Sequence, residues 1–481
     1  MDALQPLVVG FDLDMTLIDT RPGFSATLAQ LVLETGVQMD VEAMSERLGP
    51  PLSHMLTPYF ETTEIDALVD RFRACYPDHA ITPTREFAGA HEALAAVRRN
   101  GGTTVVVTGK FTPNAALHVD ALKFEIDHLV GEVWGVGKAA VLAEHGASIY
   151  VGDHVHDVEG ALAAGAFSVS VLTGGCTAQE LRDAGTHVVL DDLTEFPAWL
   201  EEHLLRTRLE ALEKDLRSRG SLMVAFSGGA DSAFLLAAAA RTLGPENVAA
   251  ATAYSDSLPA SERDPAADFA RELGVRVFTP RTHEMDREGY RANAGNRCYF
   301  CKAELLDVLG PLAGEHGFAH VATGTNADDA VAGFRPGIRA ADERGAITPL
   351  RDAGLTKQQI RAASREWGLP TWDKPAAACL SSRVAYGVEV SSFRLSRIER
   401  AEVAVRAALA QAGIGVRNLR VRDLGDRASI EIDAEAVEAA LAEPTVAEAA
   451  RGAGFEEAAV DPKGFRSGSM NERLAEPGLY R

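Results

Sequence analysis

The chain has 481 residues, of which 46% are hydrophobic and 24% are charged, and its formal net charge at pH 7 is −22. At roughly 150 residues per domain this length predicts two or three domains, and the composition is typical of globular proteins. The longest uninterrupted apolar stretch, residues 233–240, is too short to cross a bilayer, and the first residues do not have the pattern of a secretion signal. We therefore expect a cytoplasmic protein with no membrane contact.

The negative charge is concentrated in the first part of the chain. Residues 1–200 carry 11 Lys and Arg against 28 Asp and Glu, and the remainder carries 36 against 41. An acidic surface repels phosphate backbones, which argues against a nucleic-acid partner. Five cysteines in a chain of this length do not make a disulfide scaffold, so we expect reduced thiols or metal ligands.

Segments rich in β-branched residues alternate with helix-forming segments along the whole chain. The predicted strands are residues 7–11, 103–108, 148–151, 168–171, 222–226, 248–253, 275–279 and 320–323. This alternation predicts an α/β protein with two doubly wound parallel sheets. Between residue 22 and about residue 99 the pattern is helical only, which predicts a helical insertion after the first strand. An amphipathic charged helix is predicted at residues 196–219.

The first predicted strand runs into Asp12-Leu13-Asp14-Met15-Thr16. Strand alternation puts Asp12 and Asp14 on one side at the carboxyl edge of the sheet, where open α/β folds bind their ligands. Paired carboxylates at such an edge can hold Mg²⁺, with one attacking a phosphorus atom and the other moving a proton.

Later segments add further polar groups at the same predicted edge. Thr108 and Gly109 follow the second strand, Lys138 comes next, and the third strand ends in Gly152-Asp153, with Asp157 four residues later. Clustered carboxylates need a cation such as Lys138 to offset their mutual repulsion. A solvated acidic cluster in an inert scaffold is the simplest alternative.

The order Asp-x-Asp-x-Thr, Thr, Lys, Gly-Asp-x-x-x-Asp resembles the haloacid dehalogenase superfamily, and in particular its phosphoglycolate-phosphatase-like members with a helical cap. The resemblance covers about residues 5–195. It implies a Rossmann-like core with a C1-type cap and Mg²⁺-dependent phosphatase activity. The roles it implies are nucleophile for Asp12, general acid/base for Asp14, phosphoryl binding for Thr108 and Lys138, Mg²⁺ ligation for Asp12, Asp153 and the main chain at Asp14, and orientation of Lys138 by Asp157.

The strand at residues 222–226 runs directly into a glycine-rich loop that precedes a helix. The loop consists of Ser227, Gly228, Gly229, Ala230, Asp231 and Ser232. Its glycines let backbone N–H groups approach an anion, and the helix N-terminus that follows favours negative charge. The loop lacks the Walker pattern. It resembles the pyrophosphate (PP) loop of ATP pyrophosphatases, which implies that Asp231 helps to hold Mg²⁺–pyrophosphate.

Three cysteines follow this loop in the second part of the chain. Cys298 and Cys301 form a C-x-x-C pair, and Cys379 lies in Asp373-Lys374-Pro375-Ala376-Ala377-Ala378-Cys379-Leu380-Ser381-Ser382-Arg383. No fourth ligand with zinc spacing accompanies them. Three thiolates suit a [4Fe–4S] cluster with one open iron, since such clusters are usually held by four cysteines. Buried structural thiols are the alternative.

Residues 205–475 resemble the LarE family of ATP-dependent sulfur transferases, which mature a nickel-pincer cofactor. The segments that carry this resemblance are residues 227–232, 296–302, 324–329, 374–383 and Arg335-Pro336-Gly337. The resemblance implies that a pyridinium carboxylate is adenylated and then converted to a thiocarboxylate with release of AMP. Some members sacrifice the thiol equivalent to Cys379, and others use three cysteines that hold a cluster. Because this chain has three, we favour the cluster as the sulfur source.

The segment Leu419-Arg420-Val421-Arg422 alternates like a strand, so Arg420 and Arg422 are predicted to project from one face. Arginine forks match phosphate oxygens, which makes the pair a candidate clamp for the phosphate of a mononucleotide substrate. Two solvated arginines on an edge strand are the alternative. Glu431 is a weaker candidate for the same pocket, and Lys302 and Arg383 are candidate helpers near AMP or the thiols.

The sequence thus predicts a bifunctional enzyme with ATP, Mg²⁺ and a [4Fe–4S] cluster as cofactors. The expected domains are a haloacid dehalogenase-like hydrolase at residues 1–197 with its cap at about 21–90, a linker helix at 198–219, a PP-loop domain at 220–390, and a small α+β part at 391–481 for substrate binding or oligomerisation. The partners expected are a small nucleotide substrate and further copies of the chain. The alternatives are a tRNA thiolase, an amide-forming ATP pyrophosphatase, and a non-enzymatic assembly role for the acidic part.

Overall fold

The computed structural model describes residues 6–46, 48, 51–331, 336–375, 378–466 and 469–470. The chain divides into two compact units, Met1–Leu204 and Leu205–Arg481. Three residues of the motifs quoted above, Arg335, Ala376 and Ala377, lie outside the described residues.

The first unit is built on a parallel sheet. In the described residues its strands are β1 (Val8–Phe11), β2 (Ile18–Asp19), β3 (Arg85–Glu86), β4 (Thr103–Val107), β5 (His128–Val130), β6 (Ile149–Gly152), β7 (Phe167–Val171) and β8 (Val188–Leu190). Six of them form one parallel sheet in the order β5-β4-β1-β6-β7-β8, while β2 and β3 pair as a separate antiparallel ribbon. The central strands β1, β4 and β6 are almost entirely buried, as expected for a sheet covered on both faces.

The helices of this unit fall into a cap and a set of crossovers. The cap helices are α1 (Arg21–Thr35), α2 (Val41–Glu46), α3 (Leu52–Leu56) and α4 (Thr62–His79), and the others are α5 (Ala90–Arg99), α6 (Thr112–Leu122), α7 (Lys138–Glu144), α8 (Val155–Ala163) and α9 (Ala178–Asp183). The cap has a hydrophobic core of its own around Phe24, Leu28 and Phe72. The ribbon of β2 and β3 lies at the two points where the chain enters and leaves the cap.

The second unit contains another parallel sheet, with strands β9 (Leu222–Ala225), β10 (Val248–Ala251), β11 (Arg276–Phe278) and β12 (His320–Thr323) in the order β11-β10-β9-β12. Helix α10 (Phe196–Arg219) precedes β9. The helices that follow are α11 (Ala230–Leu243), α12 (Ala260–Glu272), α13 (Glu288–Arg291), α14 (Arg297–Glu315), α15 (Ala327–Val331), α16 (Pro336–Glu343), α17 (Pro349–Asp352) and α18 (Lys357–Glu366). Helix α11 is apolar on nearly every side and lies in the core of this sheet domain.

The C-terminal part of the second unit is a small α+β layer. It comprises α19 (Ser392–Gln411), β13 (Leu419–Asp423), β14 (Arg427–Ile432), α20 (Val437–Leu441), α21 (Pro444–Gly452) and β15 (Glu457–Val460). Strand β14 is central, antiparallel to β13 and parallel to β15. Helix α19 packs on this sheet through Leu395, Ile398 and Val405.

The predicted fold class is confirmed, with two parallel α/β sheets and a small mixed sheet at the end. The prediction of a purely helical segment between residue 22 and about residue 99 is wrong at one point, because Arg85–Glu86 forms β3. A two-residue strand is too short to carry a periodic signal. The edge strands β5 and β8 and the strands β14 and β15 of the C-terminal layer were not predicted from sequence either.

Candidate active sites

The first site lies at the carboxyl ends of β1, β4 and β6. Asp12, Asp153 and Asp157 are buried there, and one carboxylate oxygen from each lies within 4.8 Å of the others. The Lys138 ammonium group donates hydrogen bonds to Asp12 Oδ1 at 2.9 Å and to Asp157 Oδ1 at 2.6 Å. Gly152 permits this approach, because a Cβ at that position would lie 2.5 Å from the Asp157 side chain. The four charged side chains predicted from separate segments therefore converge.

The charges of this cluster do not balance. Burial raises the pKa of Asp12 to about 7 although Lys138 opposes the shift, and burial with the nearby Asp157 raises the pKa of Asp153. Burial would lower the pKa of Lys138, but Asp12 and Asp157 raise it well above its ordinary value. Three carboxylates share one ammonium group, so a divalent cation with a preference for oxygen ligands fits the site.

The Asp14 carboxylate has hydrogen-bond and ion-pair partners that the carboxylate trio does not share. Its carboxylate accepts a hydrogen bond from Thr108 Oγ1 at 3.2 Å and forms an ion pair with Lys110 Nζ at 2.9 Å. Burial would raise the pKa of Asp14, but Lys110 lowers it below the ordinary value. The chain turns after Asp14 at Met15, which has a φ of 62°. Asp12 and Asp14 therefore face different partners, and the predicted contribution of the Asp14 main chain to metal binding stays a prediction.

A hydrogen-bonded chain joins Asp14 to the cap. Lys110 Nζ donates to the hydroxyl group of Tyr76, on cap helix α4, at 2.7 Å. The same hydroxyl group is hydrogen-bonded to His118 Nε2, 2.9 Å away. Burial, and then Lys110, lowers the pKa of His118 to about 4. Lys110, Tyr76 and His118 were not predicted as site residues from sequence. Of the three, only Lys110 could have been recognised there, as a cation two residues after Thr108.

A cavity of about 230 Å³ opens onto these groups. Asp12, Asp14, Thr108 and Lys138 line one side of it, and cap residues line the other. The arrangement places a buried carboxylate, a second carboxylate and hydrogen-bond donors around one cavity. These are the parts that phosphoryl transfer through an aspartyl-phosphate requires.

The second site starts at the loop between β9 and α11. Gly228 adopts a φ of +70°, which glycine tolerates without a steric penalty. The Ser232 hydroxyl group is 3.1 Å from the Ser227 hydroxyl and donates to the Gly229 carbonyl, also at 3.1 Å. These contacts close the loop into a compact turn at the N-terminus of the 14-residue α11. Helix N-termini favour anions.

Asp231 lies in the first turn of α11, and its carboxyl group faces cations. Lys357 Nζ is 4.0 Å from Asp231 Oδ2. Burial raises the pKa of Asp231, and Lys357 opposes that shift. A partly desolvated carboxylate beside an anion-binding loop is suited to a bound divalent cation that accompanies the anion.

Two further segments hold the PP loop in place. Gly324 follows β12 so closely against α11 that a Cβ there would lie 2.8 Å from the Ser232 nitrogen. Lys374 Nζ donates to the Gly228 carbonyl at 3.0 Å and to Glu262 at 2.6 Å. Arg361 in turn donates to the Lys374 carbonyl at 2.7 Å. Lys374 thus contacts the PP loop directly, and Arg361 contacts Lys374. Neither role was predicted from sequence.

The cysteines lie beside the same cavity. The five cysteines, all of which are among the described residues, form no disulfide bond with one another. Cys301 and Cys379 line a cavity of about 440 Å³ together with the PP loop, and Cys298 is three residues before Cys301 on α14. Burial raises the pKa of Cys301, and the Cys379 and Cys298 thiolates raise it further. Among the described residues the Asp12, Asp153 and Asp157 group alone brings three potential ligand atoms within 4.8 Å of one another, so the cluster predicted at these cysteines stays a prediction.

The loop that carries Cys379 is held by two arginines. Arg383 pairs with Glu402 at 2.9 Å and donates to the carbonyl groups of Ala378 and Cys379. Arg422 donates to the Ser382 carbonyl at 3.2 Å. Both guanidinium groups therefore fix the backbone around Cys379.

The structure gives Arg420 and Arg422 different surroundings. Arg422 forms a buried ion pair with Glu431 at 2.7 Å, so its charge is compensated within the protein. Burial, followed by repulsion from Arg383, lowers the pKa of Arg420 to about 10. Of the two predicted phosphate ligands, Arg420 has the more electropositive surroundings.

Comparison with known proteins separates the two parts of the chain. A family model described as haloacid dehalogenase-like hydrolase matches residues 9–161, and a second one, described as HAD-hydrolase-like, matches residues 138–196. The phosphoglycolate phosphatase of Pseudomonas fluorescens is 26% identical over 220 residues, which are 39% of this chain and 77% of that protein. In the described part of the chain, no helix combines the length and apolar character needed to span a lipid bilayer.

Two other relatives align over more than half of the chain. An uncharacterised protein of Synechocystis is 38% identical over 274 residues, which are 56% of this chain and 99% of that protein. The pyridinium-3,5-bisthiocarboxylic acid mononucleotide synthase of Lactiplantibacillus plantarum is 32% identical over 276 residues, which are 57% of this chain and 98% of that protein.

Proposed function

Because the chain belongs to the LarE family, to which the L. plantarum synthase belongs, and carries an N-terminal haloacid dehalogenase-like hydrolase domain, we propose that it is a bifunctional enzyme. Its second unit is an ATP-dependent sulfur transferase that converts the carboxylate of a pyridinium mononucleotide to a thiocarboxylate, as in nickel-pincer cofactor synthesis. Its first unit is a Mg²⁺-dependent phosphatase of small phosphorylated metabolites.

The observation that carries the sulfur-transfer proposal is the shared cavity of the second unit. The PP loop, Cys301 and Cys379 line one space, so a nucleotide phosphate and a thiol reach the same substrate. A carboxylate is a poor electrophile. A substrate carboxylate oxygen that attacks the α-phosphorus of ATP displaces pyrophosphate and forms an acyl-adenylate. Sulfur then attacks the acyl carbon, the bond from that carbon to the adenylate oxygen breaks, and AMP leaves.

The chain's own residues would divide this work between binding and positioning. The loop residues Ser227, Gly228, Gly229 and Ser232 bind the departing pyrophosphate at the N-terminus of α11, and Asp231 holds the Mg²⁺ that accompanies ATP. Arg420 is the stronger candidate for the substrate phosphate, while Arg422 acts through the Cys379 loop.

Cys298, Cys301 and Cys379 are the residues that would hold a [4Fe–4S] cluster. When bound, such a cluster supplies sulfide from its open iron, so that no cysteine is consumed. Cys379 lies where a sacrificial thiol would also have to lie, since it lines the cavity beside the PP loop. We expect anaerobically purified protein to contain iron and acid-labile sulfide, and we expect Cys379 to be intact after turnover. A dehydroalanine at position 379 in protein that contains no iron would instead indicate that Cys379 is the sulfur source and is consumed.

In the first unit, Asp12 would form the aspartyl-phosphate and Asp14 would move the proton. Thr108 and Lys138 donate to the transferring phosphoryl group, and Asp157 holds Lys138 in place through a 2.6 Å hydrogen bond. Asp12, Asp153 and the main chain of Asp14 would hold Mg²⁺, which when bound offsets the charge of the phosphoryl group. This proposal is supported by the proximity of three buried carboxylates, two of which, Asp12 and Asp157, form ion pairs with Lys138.

The domain limits and the setting of the protein also remain our proposals. We keep residues 1–197, 198–219, 220–390 and 391–481 as the hydrolase, linker, PP-loop and C-terminal parts. A cytoplasmic setting also remains a proposal. Self-association through the C-terminal part is the expected oligomeric behaviour, and light scattering measures it.

The experiment that tests the sulfur-transfer proposal is an anaerobic incubation of the full chain with ATP, Mg²⁺ and a pyridinium dicarboxylate mononucleotide, followed by mass spectrometry. We expect AMP, pyrophosphate and a product in which sulfur replaces oxygen. Cys379→Ser should abolish the thiolated product, and Cys75→Ser, on cap helix α4, is the matched control. AMP without any thiolated product from the wild-type chain would contradict the proposal.

A further inference from the structure

The cavity of the first unit has two chemically different sides. Asp12, Thr108 and Lys138 make the phosphoryl-binding side polar. The opposite wall comes from the cap and is formed chiefly by apolar side chains: Phe24, Leu48, Pro51, Leu52, Val69 and Phe72. Water next to such a wall is unfavourable, so the wall suits an apolar ligand group.

An aromatic ring stands beside the phosphoryl side. Trp134 is 38% exposed, and it lines the cavity. Its ring packs over Gly109, next to Thr108, at a distance of 3.6 Å from the position of a Gly109 Cβ. The His156 ring meets it edge-on with 4.3 Å between centroids. A partly exposed indole beside a reaction centre offers a flat surface to a ring on the substrate.

The two lysine and arginine side chains that line the cavity besides Lys138 are already compensated. Arg73 pairs with Glu132 at 3.2 Å and lies over the Phe111 ring, 4.5 Å from its centroid. Lys110 is held by Asp14 and Tyr76. A leaving group with its own carboxylate would have to compete with these partners. A leaving group rich in hydroxyls would meet an apolar wall and leave its own polar groups unpaired, which is costly.

We propose, on the basis of the phosphatase function above, that the preferred substrate is a phosphate monoester whose leaving alcohol carries an aromatic ring. The ring packs against Trp134 and the cap wall of Phe24 and Phe72. Asp12 attacks phosphorus, the bond from phosphorus to the alcohol oxygen breaks, and Asp14 gives that oxygen a proton. Asp14 then takes a proton from the water that cleaves the aspartyl-phosphate, which releases inorganic phosphate and restores both Asp12 and the protonated Asp14.

Three esters of primary alcohols separate ring recognition from intrinsic reactivity: benzyl phosphate, ribose 5-phosphate and phosphoglycolate. The full chain is assayed with Mg²⁺, and Asp12→Asn serves as the blank. We expect kcat/KM for benzyl phosphate to exceed the other two by about tenfold or more, the scale of burying one ring. Higher kcat/KM for ribose 5-phosphate or phosphoglycolate would overturn the ring proposal and leave the phosphatase function standing. Hydrolysis of none of them above the blank would overturn both.

A variant pair tests whether Trp134 is the residue responsible. Trp134→Ala should lower the ratio of kcat/KM for benzyl phosphate to that for phosphoglycolate about fivefold, mainly through KM for benzyl phosphate. Leu162→Ala removes a similarly exposed apolar side chain, 40% exposed, from α8 and should leave the ratio unchanged. If the ratio of kcat/KM values is the same in Trp134→Ala as in Leu162→Ala, Trp134 does not recognise the ring.

Discussion

At the scale of single residues, the first site depends on the position of one ammonium group. Lys138 is buried and donates to Asp12, Asp157 and the Tyr150 hydroxyl group, all within 2.9 Å. A buried charge that loses its partner is strongly destabilising. Lys138 therefore stabilises the fold of the unit as well as binding the phosphoryl group.

Replacement of Lys138 should make the stability of the first unit depend on a bound metal ion. We predict that Lys138→Met lowers the free energy of unfolding of the first unit by about 3 kcal/mol in EDTA, because three buried carboxylates lose their cation. Mg²⁺ should recover more stability in this variant than in the wild type, since it is then the sole counter-charge. Calorimetry with and without Mg²⁺ measures both effects. The exposed Lys123→Met is the control, and equal responses to Mg²⁺ would contradict the account.

His118 should make the stability of the first unit depend on pH. Its pKa is about 4 in the folded protein, against an ordinary value of 6.5, so the unfolded chain binds more protons between these values. Stability should therefore fall as the pH is lowered from about 6.5 to about 4, by at most about 3 kcal/mol. His118→Gln keeps an acceptor for Tyr76 but does not titrate, and it should reduce this loss. The same pH dependence in wild type and variant would exclude His118 as its source.

At the scale of elements, the buried strands that carry the site residues were predictable, whereas β5, β8, β14 and β15 were not predicted. The strands that carry Asp12, Thr108, Asp153 and the PP loop are runs of buried apolar residues, so the sequence places their polar ends at one sheet edge. Tyr76 and His118 come together only because the cap packs over the core, which is a tertiary contact between residues 42 apart. No local pattern reports such a contact.

In the second unit, the contact between the end of β12 and helix α11 depends on Gly324. Gly324→Ala should destabilise this unit by about 2 kcal/mol and raise the KM for ATP, because the added Cβ would press on Ser232 at the start of α11. Gly314→Ala, in α14 with no neighbour within 4 Å of its Cβ, should instead be neutral or stabilise by about 0.5–1 kcal/mol. Chemical denaturation and ATP titration measure the pair. An unchanged KM for ATP in Gly324→Ala would contradict the role of this contact.

At the scale of the whole molecule, each proposed activity has all of its residues in one unit. Asp12, Asp14 and Lys138 belong to Met1–Leu204, and Cys301 and Cys379 belong to Leu205–Arg481. The sequence predicted this arrangement because each strand set ends in its own phosphate-binding motif. It did not predict that Arg422 is neutralised by Glu431, since that depends on cross-strand packing.

We predict that the two activities can be removed separately. Asp12→Asn should reduce phosphate release about 10³-fold or more, because the nucleophile is lost, and leave AMP formation within twofold of wild type. Cys379→Ser should have the reverse pattern, with thiolated product lost and phosphate release retained. Parallel assays of both products on each variant measure this. Loss of both activities in either variant would show that the sites are coupled.

The central claim is that ATP energy activates a carboxylate before sulfur arrives, and pyrophosphate exchange tests it most directly. Labelled pyrophosphate should enter ATP only when the full chain, Mg²⁺ and the pyridinium dicarboxylate mononucleotide are all present. Cys379→Ser should retain this exchange, because adenylation precedes sulfur transfer. Exchange without the carboxylate, or none with it, would contradict the account.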